Sequence, residues 1–180
     1  MARVPTITRS ALPDEYQSLL GEDALGERNV FTTLANNPPI LESYMLYGST
    51  LWRECGLSVQ DRELAILAVA RTLDARYEWE QHVTIGTEAG VGLDAIRAVG
   101  SDDLASFDDR RRALLSYVQA VATNSVTDDR HSALEAHFDA DAIVGIGMLA
   151  SHYVATATAL AAFDVQLEDP DFVGWTPSEP

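Results

Sequence analysis

Glu78 and His82 lie four residues apart in a stretch with helical spacing, so their side chains share one helix face. A carboxylate beside an imidazole raises the proton affinity of the ring and orients it, an arrangement suited to general acid/base chemistry. The same spacing also occurs in surface ion pairs of little energetic weight. Glu63 stands near the start of the preceding, largely apolar segment. There it could stabilise a first helical turn, worth ~0.3–1 kcal/mol, or turn inwards as a second carboxylate facing His82. Antiparallel packing of the two segments brings the start of one towards the end of the other. His82 sits mid-segment, so the sequence leaves that contact open. Two carboxylates and an imidazole are also competent ligands for a divalent metal. The Glu-x-x-x-His spacing departs from the Glu-x-x-His of di-iron sites, and the expectation is a site without a metal.

The elements that must position these residues all read with a period of 3.6, and strand signals are absent, so the expected class is all-α. Residues 1–28 read as irregular, with a short helix near 13–20. Val30 opens an apolar segment that stops at Asn36-Asn37-Pro38. Pro38 or Pro39 starts a helix that Gly56 ends. Ser58 reads as the cap of a central helix over 59–73, and Asp74 as the cap of a helix over 75–89. A short helical turn over 93–98 follows. The stretch Ser106–Asp109 reads as the cap signature of a helix over 108–123, Thr127 caps 128–137, and Asp139 caps 140–163. About seven helices result, with a helical hairpin at the centre. The last is rich in small residues, which permits close helix approach. The tail over 168–180 reads as irregular, and 29–167 as one domain.

Composition narrows the function classes. The chain of 180 residues has 12 basic residues, all of them Arg, against 28 acidic ones, a formal charge of −16. A phosphate backbone would be repelled, so nucleic acid is an unfavourable partner. The absence of Lys fits a GC-rich genome or a salt-loving host, and the large Asp excess favours the second. No continuous apolar run approaches the ~20 residues of a membrane span. The stretch Met1-Ala-Arg-Val-Pro-Thr lacks a signal-peptide core, so a cytoplasmic location without membrane contact is expected. A single cysteine, Cys55, forms neither an internal disulfide nor a Cys-x-x-Cys pair.

Three stretches together carry a resemblance: Arg62-Glu63-Leu64-Ala-Ile-Leu-Ala-Val-Ala, then Tyr77-Glu78-Trp79-Glu80-Gln81-His82-Val83, then Ala89-Gly90-Val91. With Asn29-Val-Phe-Thr-Thr-Leu-Ala-Asn-Asn-Pro-Pro before them and His152-Tyr153 after, they resemble the carboxymuconolactone decarboxylase family over roughly residues 29–167. The resemblance implies an alkylhydroperoxidase D-like helical fold and trimers or hexamers. In the peroxidase branch, aligning the motif His with His82 puts the two cysteines at Ala75 and Glu78, so thiol chemistry at this motif is excluded. The decarboxylase branch implies loss of CO2 from a small lactone or keto acid without a cofactor. On that reading His82, as imidazolium, is the acid, and Glu78 or Glu63 orients and charges it. The alternatives are a peroxidase-like antioxidant protein and a non-catalytic oligomer that binds a small molecule.

A carboxylated substrate needs a cation in the pocket. Arg62, Arg71 and Arg76 are near the motif in sequence, and Arg76 is the expected substrate-binding cation. Tyr44, His152 and Tyr153 are further candidates for the substrate pocket, although core packing also accounts for them. Tyr47 stands with Tyr44, and His131 and His137 read as solvent-facing. The expected partners are a small-molecule substrate and further copies of the same chain, because several helices are apolar nearly all round.

Overall fold

The computed structural model describes residues 2–21, 28–168 and 173–175. Among these the regular structure is helical throughout, with no strand. The eight α-helices are α1 (Asn29–Leu34), α2 (Pro38–Glu54), α3 (Val59–Thr72), α4 (Arg76–Glu88), α5 (Leu93–Gly100), α6 (Asp109–Ala122), α7 (Asp128–Glu135) and α8 (Ala140–Phe163). The expected short helical turn at 93–98 is helix α5, two residues longer. The expected short helix near 13–20 is a 3-10 helix, Asp14–Leu20. Most of the tail expected to be irregular, 169–172 and 176–180, lies outside the described residues, as do 22–27 of the N-terminal segment.

Helix α3 is the axis. Every residue from Leu64 to Ala70 is buried, because α4, α5, α6 and α8 surround the helix. That explains its lack of a polar stripe: a helix enclosed on all sides has no face for water. Ser58 caps it, its hydroxyl accepting from the Asp61 amide at 3.1 Å. Asp61 does not close a capping box in return. Its buried carboxylate takes Arg110 Nη1 at 2.6 Å and Arg111 Nε at 2.8 Å, fastening the start of α3 to α6. These two guanidiniums hold Asp61 below the usual carboxylate range, against the upward push of burial.

Asp74 is not the cap of α4. It has a positive φ of 54°, and the Ala75 amide reaches back to the Ala70 carbonyl at 2.8 Å. This left-handed closure ends α3, and Asp is among the few non-glycine residues that tolerate it. The helix-start position of α4 falls on Ala75, without a side-chain cap. Similarly, α6 is capped by Asp108, not Ser106, through the Arg111 amide at 2.8 Å. Thr127 and Asp139 cap α7 and α8 as expected.

Helix α8 is the longest helix among the described residues. Its 24 residues are long and apolar enough, by length and composition, to cross a membrane. Ser151, His152, Thr156 and Thr158 interrupt the apolar run, and the many small residues keep the average high. In this fold the helix packs against α2, α3, α4, α6 and α7. Gly145 permits the approach, since a Cβ there would lie 2.6 Å from the Cys55 carbonyl oxygen. The outer face of α8 leaves Val144 and Met148 exposed, and Leu46 of α2 is exposed as well.

Candidate active site

The α3–α4 hairpin answers the question the sequence left open. Glu63 is fully buried, and its Oε2 lies 2.7 Å from His82 Nδ1. Its Oε1 accepts from Arg62 Nε at 2.9 Å and Nη2 at 2.7 Å. Burial alone would raise the proton affinity of Glu63. The hydrogen bonds and positive charges of His82 and Arg62 outweigh it, and Glu63 is held below the usual carboxylate range. An ionised carboxylate only accepts, so His82 Nδ1 carries the hydrogen in this contact and Nε2 is left to face Glu78.

Glu78 lies on the other side of the ring, its Oε2 at 3.5 Å from Nε2. It too is buried, but without a paired guanidinium among the described contacts. Burial pushes its carboxyl up to about 7, and the charge on His82 opposes only part of that rise. The three residues therefore form a chain, Glu63–His82–Glu78, with the imidazole between two unlike carboxylates. The carboxylates flank opposite ring nitrogens, so they cannot meet one imidazole nitrogen at a single metal ion. Among the described residues no group of three ligand side chains suits a metal.

Arg62 anchors the chain from beneath. It is buried, its Nη1 donates to the Trp52 carbonyl at 2.8 Å, and its guanidinium lies 4.3 Å from the centroid of the Trp52 ring. Trp52 Nε1 donates to Tyr153 Oη at 2.7 Å, and the Tyr153 ring stands edge-on to His82 at 5.0 Å. A cavity of about 320 Å³ opens above this floor. Helix α4 contributes Glu78, Gln81, His82 and Ile85, which recur at the helical repeat. Helix α2 contributes Tyr44, Met45, Gly48 and Trp52, α8 contributes His152 and Tyr153, and Val30 and Phe31 close one wall.

Of the expected site residues, Glu78, His82, Tyr44, His152 and Tyr153 thus line one cavity, and Glu63 supports it from below. His152 packs against the rings of Tyr44 and Tyr47. Burial and the nearby charge of His82 depress it to about 4, so it is neutral at ordinary pH. Arg76 is not brought in. It is exposed and lines a separate depression with Ala157 and Asp164. Glu78 borders that depression too, but of the two only Glu78 also lines the cavity. The arginine that does line the cavity is the half-buried Arg28, remote in sequence and without a motif to mark it. Trp52 was legible: with Tyr44 and Gly48 it repeats every four residues along α2. His131 on α7 and His137 just after it do not line the cavity, His131 lying beside Glu135 and His137 being exposed.

Residues 38–120 match the model of the carboxymuconolactone decarboxylase family. Over these residues the chain is similar to that family. Its fold is the alkylhydroperoxidase D-like helical fold. A crystal structure described as an alkylhydroperoxidase AhpD core, an uncharacterised peroxidase-related protein from Ralstonia eutropha JMP134, superposes with a TM-score of 0.84 at 22% identity, covering 98% of each chain. An uncharacterised peroxidase-related protein from Silicibacter sp. TM1040 superposes at 0.79 with 20% identity, covering 92% of this chain and 91% of that one. The debrominase Bmp8, in complex with 2,3,4-tribromopyrrole, superposes at 0.73 with 15% identity, covering 79% and 78%. A comparison with curated proteins finds no significant match. At these identities the likeness concerns the fold, while the chemistry must be read from the side chains of this chain.

Proposed function

We propose that this protein is an acid/base enzyme that acts without a cofactor on a small lactone or keto-acid type compound, in the manner of a 4-carboxymuconolactone decarboxylase. The observation that carries the reading is the Glu63–His82–Glu78 chain at the floor of an aromatic-walled cavity. Glu63, kept ionised by Arg62, holds the ring by Nδ1. Glu78 and Nε2 then share the mobile proton, Glu78 being poised near neutrality, where a general acid works best.

In a decarboxylation the C–C bond to the carboxylate breaks and CO2 leaves. The bonding electron pair delocalises into the neighbouring carbonyl as an enolate. The Nε2 proton is transferred to the resulting carbon, and Glu78 returns a proton to the ring. The half-buried Arg28 supplies a cation for the substrate carboxylate. A peroxidase reading finds no support in the cavity, since Cys55 is buried outside it. We also propose that the chain works as a trimer or hexamer, an assembly that would cover the exposed apolar residues of α2 and α8. Sedimentation of a monomer at working concentration and salt would refute that part.

The test is turnover of carboxylated butenolides and β-keto acids, followed by CO2 release and, in D2O, by deuterium at the product carbon. His82→Gln should lower the rate by about 10²-fold or more, the usual weight of a positioned acid. Wild-type turnover in His82→Gln, or no carbon deuteration by the wild type with any compound of these classes, would overturn the reading.

A further inference from the structure

Several hydroxyl and amide donors that line the cavity are spent within the protein. Tyr44 Oη lies 3.0 Å from Thr156 Oγ1, whose own hydrogen goes to the His152 carbonyl, so Tyr44 donates to Thr156. Tyr77 Oη donates to Glu168 Oε1 at 2.8 Å. The amide of Gln81 donates to Glu80 and Glu168 at 2.6 and 2.8 Å. Ser49 donates to the Leu46 carbonyl, and Trp52 Nε1 donates to Tyr153 Oη. Each of these hydrogens is committed within the protein. Tyr153 differs. Its oxygen accepts from Trp52, and no acceptor is found for its own hydrogen among the described contacts.

This hydroxyl belongs to a buried residue that lines the cavity, edge-on to the ring of His82. Its ring also packs edge-on against His152. Of these neighbours His82 belongs to the proton-carrying chain, so the ring that carries the uncommitted O–H packs beside the acid. The Trp52 bond fixes the rotamer of Tyr153 and occupies its oxygen, which leaves the hydrogen as the group it can offer a ligand.

We propose that Tyr153 is a catalytic hydrogen-bond donor, holding the substrate oxygen on which negative charge collects while His82 delivers its proton to carbon. The assignment rests on the acid/base reading of the site and adds to it the place of the oxyanion. It requires a substrate whose carbonyl oxygen is conjugated to the carbon that receives the proton. No proton leaves Tyr153 in this role. Burial, together with the negative charge of Glu78, pushes its hydroxyl far above the ordinary range, so it stays a donor and does not act as a base.

The test uses two probes small enough for the cavity: 4-nitrophenolate, which carries an oxyanion on a flat ring, and nitrobenzene, which lacks it. Binding is read by the absorbance shift of the first and by tryptophan quenching for the second. Tyr153→Phe should weaken nitrophenolate about tenfold or more, as befits loss of a hydrogen bond to a charged group, and leave nitrobenzene within about twofold, since its ring contacts are unchanged. Equal loss of both probes, no loss of either, or no nitrophenolate binding to the wild type would overturn the proposal. If Tyr153→Phe does not fold, 3-fluorotyrosine placed at position 153 keeps the ring and makes the hydroxyl a stronger donor. Nitrophenolate should then bind several-fold tighter than to the wild type, and unchanged affinity would overturn the proposal. His82→Gln separates the two claims. It should lower turnover by about 10²-fold or more, yet keep the Tyr153-dependent preference for nitrophenolate over nitrobenzene. A variant that turns over like the wild type sinks the acid/base reading, and a lost preference sinks the Tyr153 assignment.

Discussion

Replacing Glu78 by Gln should stabilise the protein at alkaline pH and do much less at acid pH. The carboxyl is 5% exposed and its pKa rises from 4.5 in a free side chain to about 7 in the fold. A group whose folded pKa is raised contributes stability that is present below its unfolded pKa and lost as pH rises through the folded value. For Glu78 the loss develops between about pH 4.5 and 7. Comparing pH 5 with pH 8.5, the lost increment is about 2–3 kcal/mol at 1.36 kcal/mol per pH unit. Gln has nearly the same shape and does not titrate, so it escapes the loss. In a chain of this size the Tm difference, Gln variant minus wild type, should move in favour of Gln by about 5–10 °C between the two pH values. The scan should be made at fixed protein concentration, because assembly would shift both curves. The effect should grow in a His82→Gln background, where the charge opposing the rise is gone. The same Tm offset at pH 5 and pH 8.5 would show that Glu78 ionises freely in the folded protein and that the argument from burial is wrong.

Glu63→Gln should act in the opposite sense, costing about 3–5 kcal/mol at neutral pH because it leaves Arg62 buried without its counter-charge. Glu63 is held low, so its stabilising contribution is present above the unfolded carboxyl pKa and fades as pH falls through the folded value; denaturant midpoints of wild type and variant should therefore converge in acid, and a constant gap would contradict the pairing. Cys55 is 1% exposed, so a thiol reagent such as dithionitrobenzoate should leave the native protein unlabelled over minutes and titrate one thiol per chain in denaturant; rapid native labelling would contradict the packing of α2 on α8. With a formal charge of −16, self-repulsion should be relieved by salt as the Debye length falls to ~3 Å at 1 M; the Tm should rise from dilute buffer to molar KCl, and a flat or falling curve would remove the salt-loving reading.

Most of the helix layout could be read from the chain because its signals are local. Ser58, Thr127 and Asp139 sit where apolar periodicity begins, and each caps a helix. The misreadings are also local in origin. Asp74 has the composition of a cap, yet the Ala75 amide reaching back to Ala70 gives it the left-handed turn instead. The site divides along the same line. The face shared by Glu78 and His82 follows from helical phase, whereas the Glu63–His82 contact depends on how tightly the hairpin closes and how the two helices cross. Arg62 stood out in the sequence only as an arginine near the motif. It is buried because Trp52, from another helix, stacks on it, and such a contact has no signature in the sequence of either helix. Arg76 shows the converse: it is close to the motif in sequence, yet its side chain is exposed and lines a neighbouring depression instead of the cavity.

The two carboxylates on His82 are the same functional group made unlike by their neighbours. Arg62 lies in contact with Glu63 and compensates its burial. Glu78 has the imidazole alone to compensate it, and the imidazole is shared. A division of labour follows from this asymmetry. The low carboxylate stays charged across the working range, so it can fix the ring and its tautomer but cannot deliver a proton. The high one crosses between its two forms near neutrality, so it can carry the proton but binds the ring loosely, at 3.5 Å. Negative charge developing in the cavity would raise the proton affinity of Glu78 further, by the same Coulombic rule that lets His82 lower it. An anionic substrate would therefore favour the protonated state of the chain that acts on it, and the acid would be most fully loaded while the cavity is occupied.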